Sequence, residues 1–274
     1  MTEQTLALAT IAIALLAVLQ MLNSRSTARR RQRRQLLGLE RLRALAQLLL
    51  HIQQHRGLSS GLLNGSSELE QQIEPLQRRV SRDISDLNSG DDWMERCERW
   101  QSVLDHWQRL ANHFRDKKPE DNLREHNNLI QSILFVIDDM AQAHELQLLG
   151  QRQRPLQLLW RELLTTTEYI GQARAIGTGI AAVGHCDSVA RIRLNYLSQK
   201  ILAHTDTVWR DLALDRRQRQ PVEVLVQSIH NDILRDRIAI KPLDFFDIAS
   251  TAINGIHELY RSKLEQQQAA LTGH

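Results

Sequence analysis

The 274 residues include 12 glycines, 5 prolines and 4% aromatics, and 35 Lys and Arg stand against 32 Asp and Glu for a formal charge of +3. So few chain breakers among abundant unbranched side chains favour long helices, and no alternating run bounded by turn residues reads as a strand. Arg25, Arg29, Arg30, Arg31, Arg33 and Arg34 carry the positive balance; the rest is near neutral, which excludes a basic body suited to nucleic acid.

The first element is an 18-residue run, Thr5–Leu22, broken only by Thr5, Thr10 and Gln20. A bilayer needs about 17–25 such residues, so the run predicts a membrane span over residues 1–24. A cleaved signal peptide would carry Lys or Arg ahead of the apolar core, and Met1-Thr2-Glu3-Gln4 has none. The arginines follow instead, which places the C-terminal body in the cytoplasm. Residues 25–40 form a basic juxtamembrane linker leading into a helix, set against anionic lipid headgroups.

From Gln35 to about Gly65 the apolar stripe Leu42, Leu45, Leu49, Ile52, Arg56, Ser59 and Leu63 repeats at three and four residues, a helix closed by Asn64-Gly65. A second helix spans about Ser67 to Leu87, with Pro75 as a kink. Asn88-Ser89-Gly90-Asp91 turns into a third, about Asp92 to Arg115, whose Trp93, Trp100 and Trp107 are core anchors. After Lys117-Lys118-Pro119 comes a fourth, about Glu120 to Gly150. Gln151 to Pro155 separates a second set: about Leu156 to Val183, about Asp187 to Arg219 with Asp187 or Ser188 as N-cap, Pro221 to about Ile240, and Asp244 to about Gln268. Four helices on each side of the break predict an all-α fold of two up-and-down four-helix bundles, about 41–150 and 155–268.

The first helix of each set carries a repeated segment. Gln54-His55-Arg56-Gly57-Leu58-Ser59-Ser60-Gly61-Leu62 is matched 118 positions later by Gln172-Ala173-Arg174-Ala175-Ile176-Gly177-Thr178-Gly179-Ile180, and a repeated unit signals a repeated role. Both Arg56 and Arg174 fall on inward faces. A buried guanidinium costs several kcal/mol unless an anion meets it, and it cannot escape by deprotonation. Ser59, Ser60 and Thr178 offer hydroxyls, Gln54 and Gln172 offer amides, and Gly57, Gly61, Gly177 and Gly179 admit another helix closely. Such a donor-rich crossing suits a planar oxyanion. The plainer reading is a glycine packing face in which Arg56 or Arg174 pairs with Glu168, Asp138, Asp139 or Glu145.

Three segments in order carry a family likeness: His55-Arg56-Gly57-Leu58-Ser59, Gly171-Gln172-Ala173-Arg174-Ala175, and Pro242-Leu243-Asp244-Phe245-Phe246 with Thr251. Together they resemble the nitrate- and nitrite-sensing NIT family, over about Ala44 to Glu265. The resemblance implies a helical sensor, here residues 41–268, that binds nitrate or nitrite between paired bundles through Arg56 and Arg174. A further arginine from the C-terminal half, Arg235 or Arg237, completes the set. The residue before the first arginine, often charged in the family, is His55 here, which bears on anion preference. Relatives join the sensor to an RNA-binding antiterminator module, a kinase, a cyclase or a chemoreceptor tail. Here residues 266–274 follow, so the expectation is a signal passed to a separate protein or along the first helix.

The combined expectation is a single-pass sensor of the bacterial inner membrane that binds nitrate or nitrite and signals to a separate output protein, with a homodimer compatible. The alternative is a helical scaffold that docks a partner and binds no anion. No nucleophile–base pair, phosphate loop or HExxH motif points to an enzyme, a metal or a cofactor, and Cys97 and Cys186, in no redox spacing, read as buried thiols of a reducing compartment.

Overall fold

The structure, a computed structural model, describes residues 3–89, 92–149, 159–212 and 216–273. Among these there are helices and no strands. α1 runs unbroken from Glu3 to Leu63, and α2 spans Glu70–Asn88. The expected third helix divides at Cys97, whose extended backbone separates α3 (Asp92–Arg96) from α4 (Glu98–His113). α5 covers Pro119–Ala143, α6 Leu164–Val183, α7 Ser188–Leu212, α8 Arg216–Ser228 and α9 Pro242–Thr272.

α1 has two unlike parts. Ile13, Leu15, Leu16, Val18, Leu19, Met21 and Leu22 are exposed on all sides of the helix. From Leu39 onward, Leu42, Leu45, Leu48, Leu49 and Ile52 are buried, as the stripe at three and four residues requires. Among the described residues no helix is long and apolar enough to cross a membrane. The expected span Thr5–Leu22 begins among residues whose side chains lie outside those described. The helix closes as its sequence indicates: Gly65 adopts φ 104°, and Ser66 donates its N–H back to the Gly61 carbonyl.

Several boundaries differ from the sequence reading. α5 stops at Ala143 instead of Gly150, because Glu145 takes a left-handed conformation (φ 56°) and a short 3-10 turn follows. Arg31 and Arg34 of α1 reach that glutamate at 2.9 and 2.8 Å. Of the expected helix to Arg219, α7 is described as far as Leu212, residues 213–215 lie outside the described residues, and α8 is described from Arg216, with Pro221 inside it rather than at its first position. Arg219, on the first turn of α8 as described, pairs with Asp206 of α7 at 2.6 Å and with Glu223 one turn on at 2.9 Å. Pro75 likewise sits inside an uninterrupted α2. The separator Gln151 to Pro155, the start at Leu156, and Gly90-Asp91 lie outside the described residues.

Capping follows the sequence elsewhere. Asp187 accepts the N–H of Ala190 at 2.8 Å ahead of α7, Gly184 ends α6 at φ 76°, and Pro242 opens α9. Trp100 and Trp107 are core residues as expected, and Cys97 and Cys186 are free thiols.

The lower half of α1 is the hub. It packs on α2 and α5 on one side and on α6 and α9 on the other. α9 buries Phe245, Phe246, Ala249, Ala252, Ile253, Ile256 and Tyr260 against α6, α8 and α1. This puts both copies of the repeated segment at one helix crossing, with α9 as its wall.

Candidate functional site

The two copies lie on each other, running in the same direction: Gln53 meets Glu168, Gly57 meets Arg174, and Gly61 meets Thr178. Glycines permit the approach. A Cβ on Gly57 would stand 3.1 Å from Arg174 Nε and 2.8 Å from the Phe246 ring, and one on Gly171 would stand 2.5 Å from Arg56 Nη2. Each arginine therefore lies over a glycine of the opposite copy. Neither site tolerates a methyl group without displacing a guanidinium.

Arg56 is fully buried and matched. Its Nη1 and Nη2 donate to Glu168 Oε1 and Oε2 at 2.7 and 3.0 Å, a fork-to-carboxylate pair. Nη1 also donates to Asn127 Oδ1 at 2.6 Å, leaving Nε without a partner. Glu168 is saturated further by the amides of Gln53 and Gln172, at 3.0 and 2.8 Å. The expectation of two cations awaiting an external anion is corrected here: the chain supplies the anion for Arg56, and Glu168 was one of the four carboxylates the sequence offered.

Arg174 is 1% exposed and has no such partner. Nη1 donates to Ser250 Oγ at 2.8 Å, and that hydroxyl passes its own proton to the Phe246 carbonyl at 2.7 Å. The guanidinium carbon sits 4.7 Å from the Phe246 ring centroid, a cation–π contact. Nε and Nη2 are buried with no hydrogen-bond partner. These two N–H groups form one edge of the guanidinium and point the same way. Burial, with Arg56 adding repulsion and Glu168 opposing it, pulls the group down to about 9, so it remains charged at neutral pH. One turn along the same face of α6, the Thr178 hydroxyl is also buried without a partner.

Three histidines surround this pair as neutral rings. His126 Nδ1 lies 2.8 Å from the Asn122 carbonyl and must donate, so its Nε2 accepts from His55 Nδ1 at 2.8 Å, and His55 Nε2 accepts from the Gln77 amide at 3.2 Å. The tautomers of His126 and His55 are thus fixed by their neighbours, and in that chain neither ring has an acceptor for a second proton. Burial, with Arg115 second, drives His55 down to about 3; burial, with His55 next, holds His126 well below its ordinary value. His257 on α9 is lowered to about 4 by burial, then by Arg174 and His51, and its Nε2 lacks a partner.

The remaining expected site residues separate. Ser59 is buried, but its hydroxyl donates to the Arg56 carbonyl at 3.2 Å and accepts from Asn122 at 3.0 Å. Ser60 lines a groove of about 530 Å³ between α1, α6 and the start of α7. Arg235 and Arg237 are exposed, Arg235 bonding only to Asn231 within its own segment; neither shares the enclosure of Arg174. His55 faces Trp107, Phe114 and His126, away from the arginine pair. Sequence reading missed Gln53, taking Gln54 in its place, and missed Ser250. Helical phase would have found both, since Gln53 is three residues from Arg56 and Ser250 four from Phe246.

No curated protein matches the chain. The NasR transcription antiterminator is similar in fold, with a TM-score of 0.64 at 18% identity, covering 93% of this chain and 76% of that one. The model of the NIT family, described as nitrate and nitrite sensing, matches residues 47–270, which include both arginines, their glycines and all of the α9 wall. The chain belongs to the nitrate- and nitrite-sensing NIT family.

Proposed function

We propose that this chain senses nitrate or nitrite by taking the anion on the Nε/Nη2 edge of Arg174, at the α1–α6 crossing. The observation that carries the reading is that edge: two parallel donors, buried and unpartnered. Leaving them so costs about 1–3 kcal/mol for each group, more where charge is involved. A planar monoanion offers two coplanar oxygens to such an edge. Thr178 Oγ1 stands one turn away as a third donor.

The helices sort into two bundles on this reading, α1 to α5 and α6 to α9, with the anion between them. Because Arg174 is enclosed, entry requires α1, α6 and α9 to shift. The ligand moves that equilibrium only by its differential affinity for the two arrangements. α1 is continuous from Gly57 back through the arginine run, so the movement passes along it. Residues 5–22 anchor the helix in the inner membrane, with Arg25, Arg29, Arg30 and Arg33 toward lipid headgroups and the body on the cytoplasmic side. The signal passes to a separate output protein.

The internal Arg56–Glu168 pair favours a second reading, a scaffold whose arginines are structural. Calorimetric titration of the full chain separates the two. The sensor takes up one nitrate or nitrite per chain, prefers both to chloride, and loses uptake in Arg174→Ala. No heat at millimolar nitrate, or undiminished binding in Arg174→Ala, overturns the proposal.

A further inference from the structure

The buried ionic side chains among the described residues are Arg41, Arg56, Glu168 and Arg174. Arg41 is tied to the Asp86 and Ser89 carbonyls, fifteen residues and so about 22 Å along α1 from Arg56. The crossing itself holds two cations and one carboxylate. In the groove beside Glu168, Asp138 and Arg161 match one another at 3.0 Å; Asp83 and Glu125 are part-exposed and hydrogen-bonded to His51 and His106; and burial holds the rings of His55, His126 and His257 neutral. The enclosed charge is therefore +1.

We infer that Glu168 is the charge filter of the anion site: by cancelling Arg56 it leaves room for one negative charge, so the site accepts a monoanion and rejects a dianion. This rests on the sensor reading above and assigns Glu168 a role within it. A bound nitrate closes the charge balance, whereas a sulfate would leave a net negative charge in a site sealed from water. The same logic gives Arg56 an indirect role. It touches no ligand; it restrains Glu168, which would otherwise turn to Arg174 as an internal competitor. Glu168 already acts on Arg174 electrostatically, and Gly57 and Gly171 place both guanidiniums in the one crossing.

Four full-length proteins test this, titrated with nitrate and with sulfate: wild type, Arg56→Met, Glu168→Gln and the double variant. Their enclosed charges are +1, 0, +2 and +1. Wild type takes nitrate over sulfate. Arg56→Met frees the carboxylate and weakens nitrate about a hundredfold. Glu168→Gln admits sulfate, and its nitrate-to-sulfate ratio falls about tenfold or more. The double variant regains both nitrate binding and preference, although it lacks the ion pair altogether. If Glu168→Gln does not fold, that rescue of Arg56→Met is read beside urea midpoints: a direct Arg56–nitrate contact gives no rescue, and a merely structural pair gives a loss and recovery of nitrate binding that only track the loss and recovery of stability. A wild type that binds nitrate, with no rescue in the double variant, a rescue that only tracks stability, or an unchanged ratio in a folded Glu168→Gln, overturns the inference alone. A wild type that binds neither anion overturns the sensor reading and this inference with it.

Discussion

The two copies of the repeated segment present like residues to one another and end in different electrostatic states. In the first, Arg56 meets a carboxylate held by two further amides, and Asn127 completes the set. In the second, Arg174 has one serine hydroxyl, an aromatic face and two idle donors. The first arrangement is what a chain optimised for stability builds around a buried cation. The second is destabilising by the same rules, and a fold retains such a site where function requires it. Near-symmetry makes the contrast informative, because backbone approach and burial are nearly equal on the two sides.

Removing Glu168 breaks the comparison most severely. Glu168→Ala leaves both guanidiniums unmatched, and urea denaturation should show a loss of about 3–5 kcal/mol. Nitrate should recover more stability in this variant than in wild type.

Acid probes the neutral rings, two on the Arg56 side and His257 on the Arg174 side. Their folded values lie below the ordinary 6.5, so the unfolded chain binds more protons between the two. Their contribution is complete above about pH 6.5 and is lost as pH falls toward about 3 for His55 and about 4 for His257. Between pH 6.5 and 5, His55 and His257 should each cost about 2 kcal/mol, read from urea midpoints, with His126 acting in the same direction. Substituting His257 by Gln should reduce the proton uptake on unfolding by about one.

Smaller substitutions separate the two arginines directly. Ser250→Ala takes the last hydrogen bond from Arg174 and should cost about 1.5–3 kcal/mol without anion. Asn127→Ala leaves Arg56 its two carboxylate bonds and should cost about 1 kcal/mol, measured the same way, with nitrate affinity little changed.

Much of this was legible in the chain. Breaker-poor composition and stripes at three and four residues gave the helices, and the repeat located the crossing. Gly57, Gly61, Gly177 and Gly179 were readable as points of close approach, and each lies against a side chain of another element or of the opposite copy; Gly171, under Arg56, was not among them. What sequence could not supply was partner choice. Glu168, Asp138, Asp139 and Glu145 were all candidates for Arg56 or Arg174, because only the way α5 and α6 pack around α1 decides which carboxylate reaches a guanidinium. Arg235 and Arg237, either of which the family likeness offered as one further contact, belong to the segment between the π-helical turn Ile229–Ile233 and α9, where both are exposed. The break at Cys97 carries no glycine or proline to announce it.

The central claim is that Arg174 is held unmatched for an anion at the expense of stability. Thermal unfolding of Arg174→Met, with and without nitrate, tests it most directly, because a ligand that binds only the folded chain raises its melting temperature. The account predicts that wild type melts higher in nitrate, and that Arg174→Met melts as high or higher than wild type without anion and ignores nitrate. A variant that melts lower and still responds to nitrate would contradict it.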